Sequence, residues 1–311
     1  MKKMGKRFAY STLGLAIALT LLGCAGGAIN WNQEPPYSRS LAWGEKGSGP
    51  GQFNDPTGIA VTADEVYIAD ARNSRIQVFD KQGKFRRAFG GDILGRPMNM
   101  DIAGNRLYVP DYFKDVIHVF TLAGEYCEAI KADDGLTSPG GLAVRDDGTL
   151  LIADTYGQRV VHLAPDGEVL RSWAGTGIGA GDFNYPTDIA IAPDGGFYVA
   201  DGYNDRIQQF DPDGEFVRKW GGPFAMNIYG PFKGWFTTVT SVAVGLEGSV
   251  YAADFYNDRI QKFTAEGDYL TAFGSEPASA GHTAMAVAVD NEGTVWSVNF
   301  ADNRVEKWQP D

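Results

Sequence analysis

Cysteine is nearly missing from this chain: only Cys24 and Cys127 occur. If Cys24 leaves the fold, as argued below, no intramolecular disulfide can form. The fold must then rest on core burial. Histidine is as scarce. His118, His162 and His282 share no spacing, which argues against a multi-histidine metal centre. Basic charge is in the minority, 27 Lys and Arg against 39 Asp and Glu, for a net charge of −12. An acidic body disfavours a phosphate backbone, so no nucleic-acid partner is expected. No Gly-x-Ser-x-Gly elbow is present. The Gly-rich stretch Gly175–Gly181 leads into no helix and reads as a connection, not a phosphate loop. No catalytic residue stands out.

Charge is also absent between Arg7 and Glu34. Lys2, Lys3, Lys6 and Arg7 precede an apolar run from Phe8 to Gly23, the pattern of an export leader. The run ends in Leu21-Leu22-Gly23-Cys24, which resembles the lipobox of bacterial lipoproteins. That resemblance implies a signal peptide over 1–23, cleavage before Cys24, acylation (palmitate among the chains) and membrane anchoring. An uncleaved signal anchor is the alternative. Residues 24–38, with Gly26, Gly27, Pro35 and Pro36, read as a tether. The expected location is the cell envelope, at the outer membrane or periplasm if the cell has one, as Ala25 suggests.

What is present in quantity is repetition. One segment recurs: YIADARNSRIQVF from Tyr67, YVPDYFKDVIHVF from Tyr108, LIADTYGQRVVHL from Leu151, YVADGYNDRIQQF from Tyr198, YAADFYNDRIQKF from Tyr251 and WSVNFADNRVEKW from Trp296. Asp70, Asp111, Asp154, Asp201, Asp254 and Asn299 mark the register, with steps of about 41 to 53 residues. Each copy parses into four short strands separated by turn signals such as Asp147-Gly148 and Asp213-Gly214. The second strand, as in Val66-Tyr67-Ile68-Ala69, is apolar on both faces, which suits a sheet packed between two others. The last copy lacks a fourth strand, and a spare strand-like piece, Ser40–Gly44, precedes the first. The expected fold is an all-β, six-bladed β-propeller over 39–311, with Ser40–Trp43 completing the final blade and removing an open edge.

Gly51-Gln52-Phe53-Asn54-Asp55-Pro56-Thr57-Gly58-Ile59-Ala60-Val61 followed by Ala69–Gln77, and again Gly181–Pro186, resembles the NHL repeat family. That resemblance implies a six-bladed propeller across nearly all of 40–311. It also implies that the loops joining second to third strands share a face with the connections between blades.

The marker Asp precedes an Arg by five positions in Asp70/Arg75, Asp154/Arg159, Asp201/Arg206 and Asp254/Arg259. A feature repeated around a ring reads as structural: the carboxylate caps the next loop, and the guanidinium fork pairs with it or a neighbouring blade. Function is sought where the copies differ. Aromatic residues follow the marker (Phe113, Tyr156, Tyr203, Tyr256). The long connection Gly222–Val239 adds Tyr229, Trp235 and Phe236. These are the candidate ligand-binding residues. The insert serves either as a plug folded over the channel mouth or as an aromatic platform. The expected activity is non-enzymatic binding of an envelope protein, peptide or glycan by a monomeric propeller without a cofactor. The alternative is a metal-dependent hydrolase or lyase, by resemblance to six-bladed lactonases, with a divalent cation near Asn99 and Asp188 at the channel mouth.

Overall fold

The computed structural model describes residues 34–274 and 284–311. The leader, Cys24, the first part of the tether and His282 lie outside the described residues.

Six four-stranded antiparallel sheets form the expected six-bladed propeller. Blade one runs from the channel outward as Pro56–Val61, Glu65–Asp70, Arg75–Asp80 and Phe85–Phe89. Blade four repeats it as Pro186–Ile191, Phe197–Asp201, Arg206–Phe210 and Phe216–Trp220. Blade five is Val239–Val244, Val250–Asp254, Arg259–Phe263 and Tyr269–Phe273. The marker residue closes each second strand, paired across the hairpin with the first residue of the third, as in Asp70 with Arg75 and Asp201 with Arg206.

Alternation places opposite faces of each second strand against different neighbours. Val66 and Ile68 pack toward blade six, while Tyr67 and Ala69 pack toward blade two. One apolar cluster fills each of the six blade interfaces. This is why the strand reads as a continuous apolar run. The aromatic that ends a fourth strand seals the outer rim. Trp43, Phe89, Trp173 and Trp220 each press on the hairpin glycine of the next blade: Gly83, Gly124, Gly214 and Gly267. A Cβ at Gly83 would come within 2.8 Å of the Trp43 ring, and its φ of 78° already favours glycine.

Ring closure is as expected, and slightly longer. Tyr37–Trp43 pairs antiparallel with Arg304–Pro310, from Tyr37 opposite Pro310 to Trp43 opposite Val305. The strand therefore takes in Tyr37 and Ser38, which the tether boundary at residue 38 had left outside. Tyr37 is drawn in because its ring stacks on Phe273 at 4.4 Å and its hydroxyl meets that of Tyr251.

Candidate functional site

The Asp–Arg pairs bind the ring together. Arg75, Arg159, Arg206 and Arg259 each donate Nε to the marker carboxylate at 2.7 to 2.8 Å. The other carboxylate oxygen accepts a backbone N–H from the connection entering the same blade: Asn54, Thr137, Asn184 or Thr237. The carboxylate thus holds the incoming connection. Capping of the following loop, expected from sequence, occurs among the marker aspartates at Asp111 alone, through the Phe113 and Lys114 N–H groups. A glutamine two residues beyond the Arg completes the device in blades one, four and five. Gln208, for example, donates to Asp182 O and Asp201 Oδ2 and accepts from Gly181 N.

The divergent blades solve the same problem differently. In blade two, where Val116 replaces the Arg, His118 Nε2 lies 3.5 Å from Asp111. Burial alone would raise the Asp111 pKa, but His118 and the N–H groups of Gly95, Arg96 and Phe113 outweigh it and hold it at about 2. In blade six the acid has moved to the third strand: Asn299 replaces the marker, and Glu306 accepts from Arg304 and Arg39.

A second stitch was missed in the sequence. The residue four positions after each marker adopts the left-handed conformation: Ser74, Asp115, Gln158, Asp205, Asp258 and Asn303. Its side chain reaches the entry of the next blade, as in Asp115 to Ser138 N, Gln158 to Tyr185 N, Asp205 to Thr238 N and Asn303 to Asp55 N. The only sequence signal was an Asn, Asp, Ser or Gln at a fixed offset in a turn.

With the loops fixed, the aromatics after the markers form an arc on one face. Phe113 meets Tyr112, Tyr112 meets Tyr156, Tyr156 meets Tyr185, and Tyr185 meets Tyr203, with ring centres 4.8 to 5.8 Å apart. Phe255 contacts both Tyr256 and Phe300 further round the ring. Tyr185 was not foreseen; it occupies the pre-proline position held by Asp55 in blade one, with φ of 51°. Burial, then the neighbouring Tyr156, pushes the Tyr112 pKa up to about 12, so its hydroxyl keeps its proton at physiological pH.

Tyr203, Tyr229 and Tyr256 meet in a cleft of about 380 Å³ that also includes Asn184, Asp205, Asn227, Thr237 and Thr238. Phe113 and Tyr156 lie outside the cleft, along the arc. Trp235 is half-buried against Phe232 and does not line the cleft. Phe236 leaves the surface altogether: it is fully buried against Phe263. The correction has a simple reason. Gly234-Trp235-Phe236 is the repeat's own Gly-x-Phe, and Phe53 and Phe183 are buried in the same way. The remainder of the insert does not bury itself as a plug: Phe224, Met226, Ile228, Tyr229 and Phe232 stay exposed. It is held from below by Arg206 to Ala225 O, Arg259 to Pro231 O and Phe232 O, and Asn257 to Gly230 O.

The channel residues also come together. Asp188 Oδ2 accepts from Asn99 Nδ2 at 2.7 Å, Ser241 Oγ at 2.7 Å and Val242 N at 3.0 Å. Asn99 Oδ1 accepts from Ile59 N, and Ser241 Oγ from Val287 N. This knot joins inner strands of blades one, two, four, five and six. Burial raises the Asp188 pKa to about 7 despite those donors. The set does not fit a divalent cation. Asn99 turns its N–H, not its oxygen, toward the carboxylate, and its oxygen is engaged by a backbone N–H. Among the described residues no group of three or more His, Cys, Asp or Glu is arranged to hold a metal.

Two stretches of this propeller, 53–79 and 183–210, match the NHL repeat. Among curated relatives, Protein brain tumor of Drosophila melanogaster is 30% identical over 141 residues, covering 42% of this chain and 13% of that protein. Human E3 ubiquitin-protein ligase TRIM32 is 31% identical over 134 residues, covering 38% of this chain and 20% of that protein. The chain thus spans a minor part of either. A solved streptogramin B lyase superposes with a TM-score of 0.61 at 12% identity, covering 89% of this chain and 98% of the lyase. At that identity the likeness concerns the fold.

Proposed function

We propose that the propeller is a binding scaffold that captures a protein or peptide on its aromatic loop face. The observation that carries this reading is the continuous arc from Phe113 to Tyr203 leading into the open cleft beside an exposed apolar insert. Tyrosine-rich, partly wet surfaces of this kind recur where proteins bind one another, and exposed apolar patches mark such sites. The curated relatives support a scaffold role, although this chain spans only a minor part of each. We further propose that the lipobox-like Leu21–Cys24 anchors the scaffold in the cell envelope through an acylated Cys24. The alternative, a metal-dependent hydrolase or lyase at Asn99 and Asp188, is disfavoured because Asp188 Oδ2 already takes three protein donors and Asn99 presents its N–H to it.

A photo-crosslinking residue at position 203, compared with one at Asp166 in a turn of the opposite face, tests the scaffold reading in intact cells. Partner adducts from position 203 alone are expected. Equal adducts from both positions, or none from either, would overturn it. For the anchor, mass spectrometry of the membrane-extracted protein should show acyl chains on Cys24 that vanish in Cys24→Ser; an unmodified Cys24 sinks that part.

A further inference from the structure

We infer that the cleft between the blade-four loop and the insert takes a cationic side chain, a lysine or arginine presented by a basic peptide segment. The inference deepens the scaffold reading and rests on it.

The cleft contains three tyrosines, two asparagines, two threonines and Asp205, and no cation. Tyr203 and Tyr229 are largely exposed, and among the described residues no Lys or Arg sits over either ring. The same face already contains an internal counterpart. In blade two, Arg96 lies over Tyr112 at 5.3 Å and over Phe113 at 5.6 Å. There the chain supplies its own cation; at the cleft none of the described Lys or Arg residues covers Tyr203 or Tyr229, and Tyr229 is 69% exposed. Desolvated cation–aromatic contacts of this geometry are attractive because the ring face carries negative charge.

Asp205 supplies the second observation. The residue is only 5% exposed, and Oδ1 accepts the Thr238 N–H at 2.7 Å. The Asn227 amide, turned nitrogen-first, donates to Oδ2 at 2.9 Å. Both donors are neutral, so the charge stays unbalanced. The adjacent buried acids Asp201 and Asp254 are each neutralised by an arginine, at 2.7 and 2.8 Å. Asp205 has no such ion pair among the described residues. A buried carboxylate without a cation is costly, and an incoming ammonium or guanidinium would relieve that cost. An anionic or phosphorylated ligand would meet the opposite sign, both here and across a chain with net charge −12. A neutral sugar would use the rings but leave the carboxylate uncompensated. Charge complementarity therefore selects the basic peptide.

The test uses the full-length protein in detergent and calorimetric titration with penta-lysine and penta-arginine at low salt, with penta-glutamate as control. Wild type is expected to bind the basic peptides and not the acidic one. Asp205→Asn and Tyr229→Ser should each weaken binding at least tenfold. Asp194→Asn, which removes an exposed acid on the opposite face, should not change it. Tyr229 is 69% exposed, so its replacement leaves the fold intact even if Asp205→Asn proves unstable. Equal weakening by Asp194→Asn would mean diffuse attraction to an acidic protein and would overturn the inference. So would binding that is unchanged in Tyr229→Ser. Crosslinked partner capture at position 203 that persists while basic peptides fail to bind would refute the cationic ligand and leave the scaffold reading standing.

Discussion

Blades one and four carry the same device in the same register, yet the two arginines have different fates. Arg75 keeps 18% of its side chain exposed, while Arg206 is fully buried. Both donate Nε to the marker carboxylate and both reach carbonyls of the incoming connection. Arg206 does something more. Its Nη1 also donates to Ala225 O at 3.2 Å, and the insert covers it. Its five donors end on Asp201, Ile178, Ala225, Gly179 and Asp182. The difference shows how a repeat acquires a site. The ring-building residue stays unchanged, and an added loop is fastened to a donor it had to spare.

The largest test of that contrast removes each arginine. Arg206→Ala should lose about 3 to 5 kcal/mol, because Asp201 and several carbonyls are left buried and unpaired. Arg75→Ala should lose about 1 to 3 kcal/mol, since water can reach the vacated site. Urea unfolding midpoints measure both; equal losses would break the comparison. Blade six offers a charge version of the test. Asn299→Asp restores the marker but sets it beside Glu306, so a loss of about 1 to 2 kcal/mol is expected from two buried like charges. Adding Glu306→Gln should recover it, and a double-mutant cycle with no coupling would show that the carboxylate had not simply moved.

The channel knot gives a pH signature. The folded-state pKa of Asp188 is about 7 against 3.8 for the free group. Between about pH 4 and 7 the native state therefore retains a proton that the unfolded state has lost. Stability should fall as pH rises through that window and level off above it. Asp188→Asn should flatten this component of a melting temperature–pH profile; an unchanged slope would rule Asp188 out as its source. The smallest effect belongs to the insert tip. Tyr229→Ser should alter stability by less than about 0.5 kcal/mol while reducing partner capture, since the side chain is mostly solvated.

Much of the fold was legible because repetition averages out local ambiguity. The period, the doubly apolar second strands and the displaced Ser40–Trp43 segment all pointed to a closed ring. The pairing of Asp70, Asp154, Asp201 and Asp254 with the arginine five positions on was legible as well, because a residue repeated in nearly every blade serves the ring. The candidate site was legible only in part. Tyr203, Tyr229 and Tyr256 do converge, but Phe236 was misread because the insert hid the repeat's Gly-x-Phe. Tyr185 and Asp205 were missed because each looks like an ordinary turn residue until its neighbour in the next blade is known.

The sequence by itself therefore determined the six blades, their register and the closing strand, since these depend on strand alternation and on positions repeated at fixed offsets. Only the tertiary structure decided which aromatics face solvent, that Asp205 has no arginine partner among the described residues, and that Asn99, Asp188 and Ser241 meet across the channel. The reason is physical. Blade formation is governed by contacts within one repeat and to its neighbour, whereas the cleft and the knot join residues from separate blades whose approach is set by the ring.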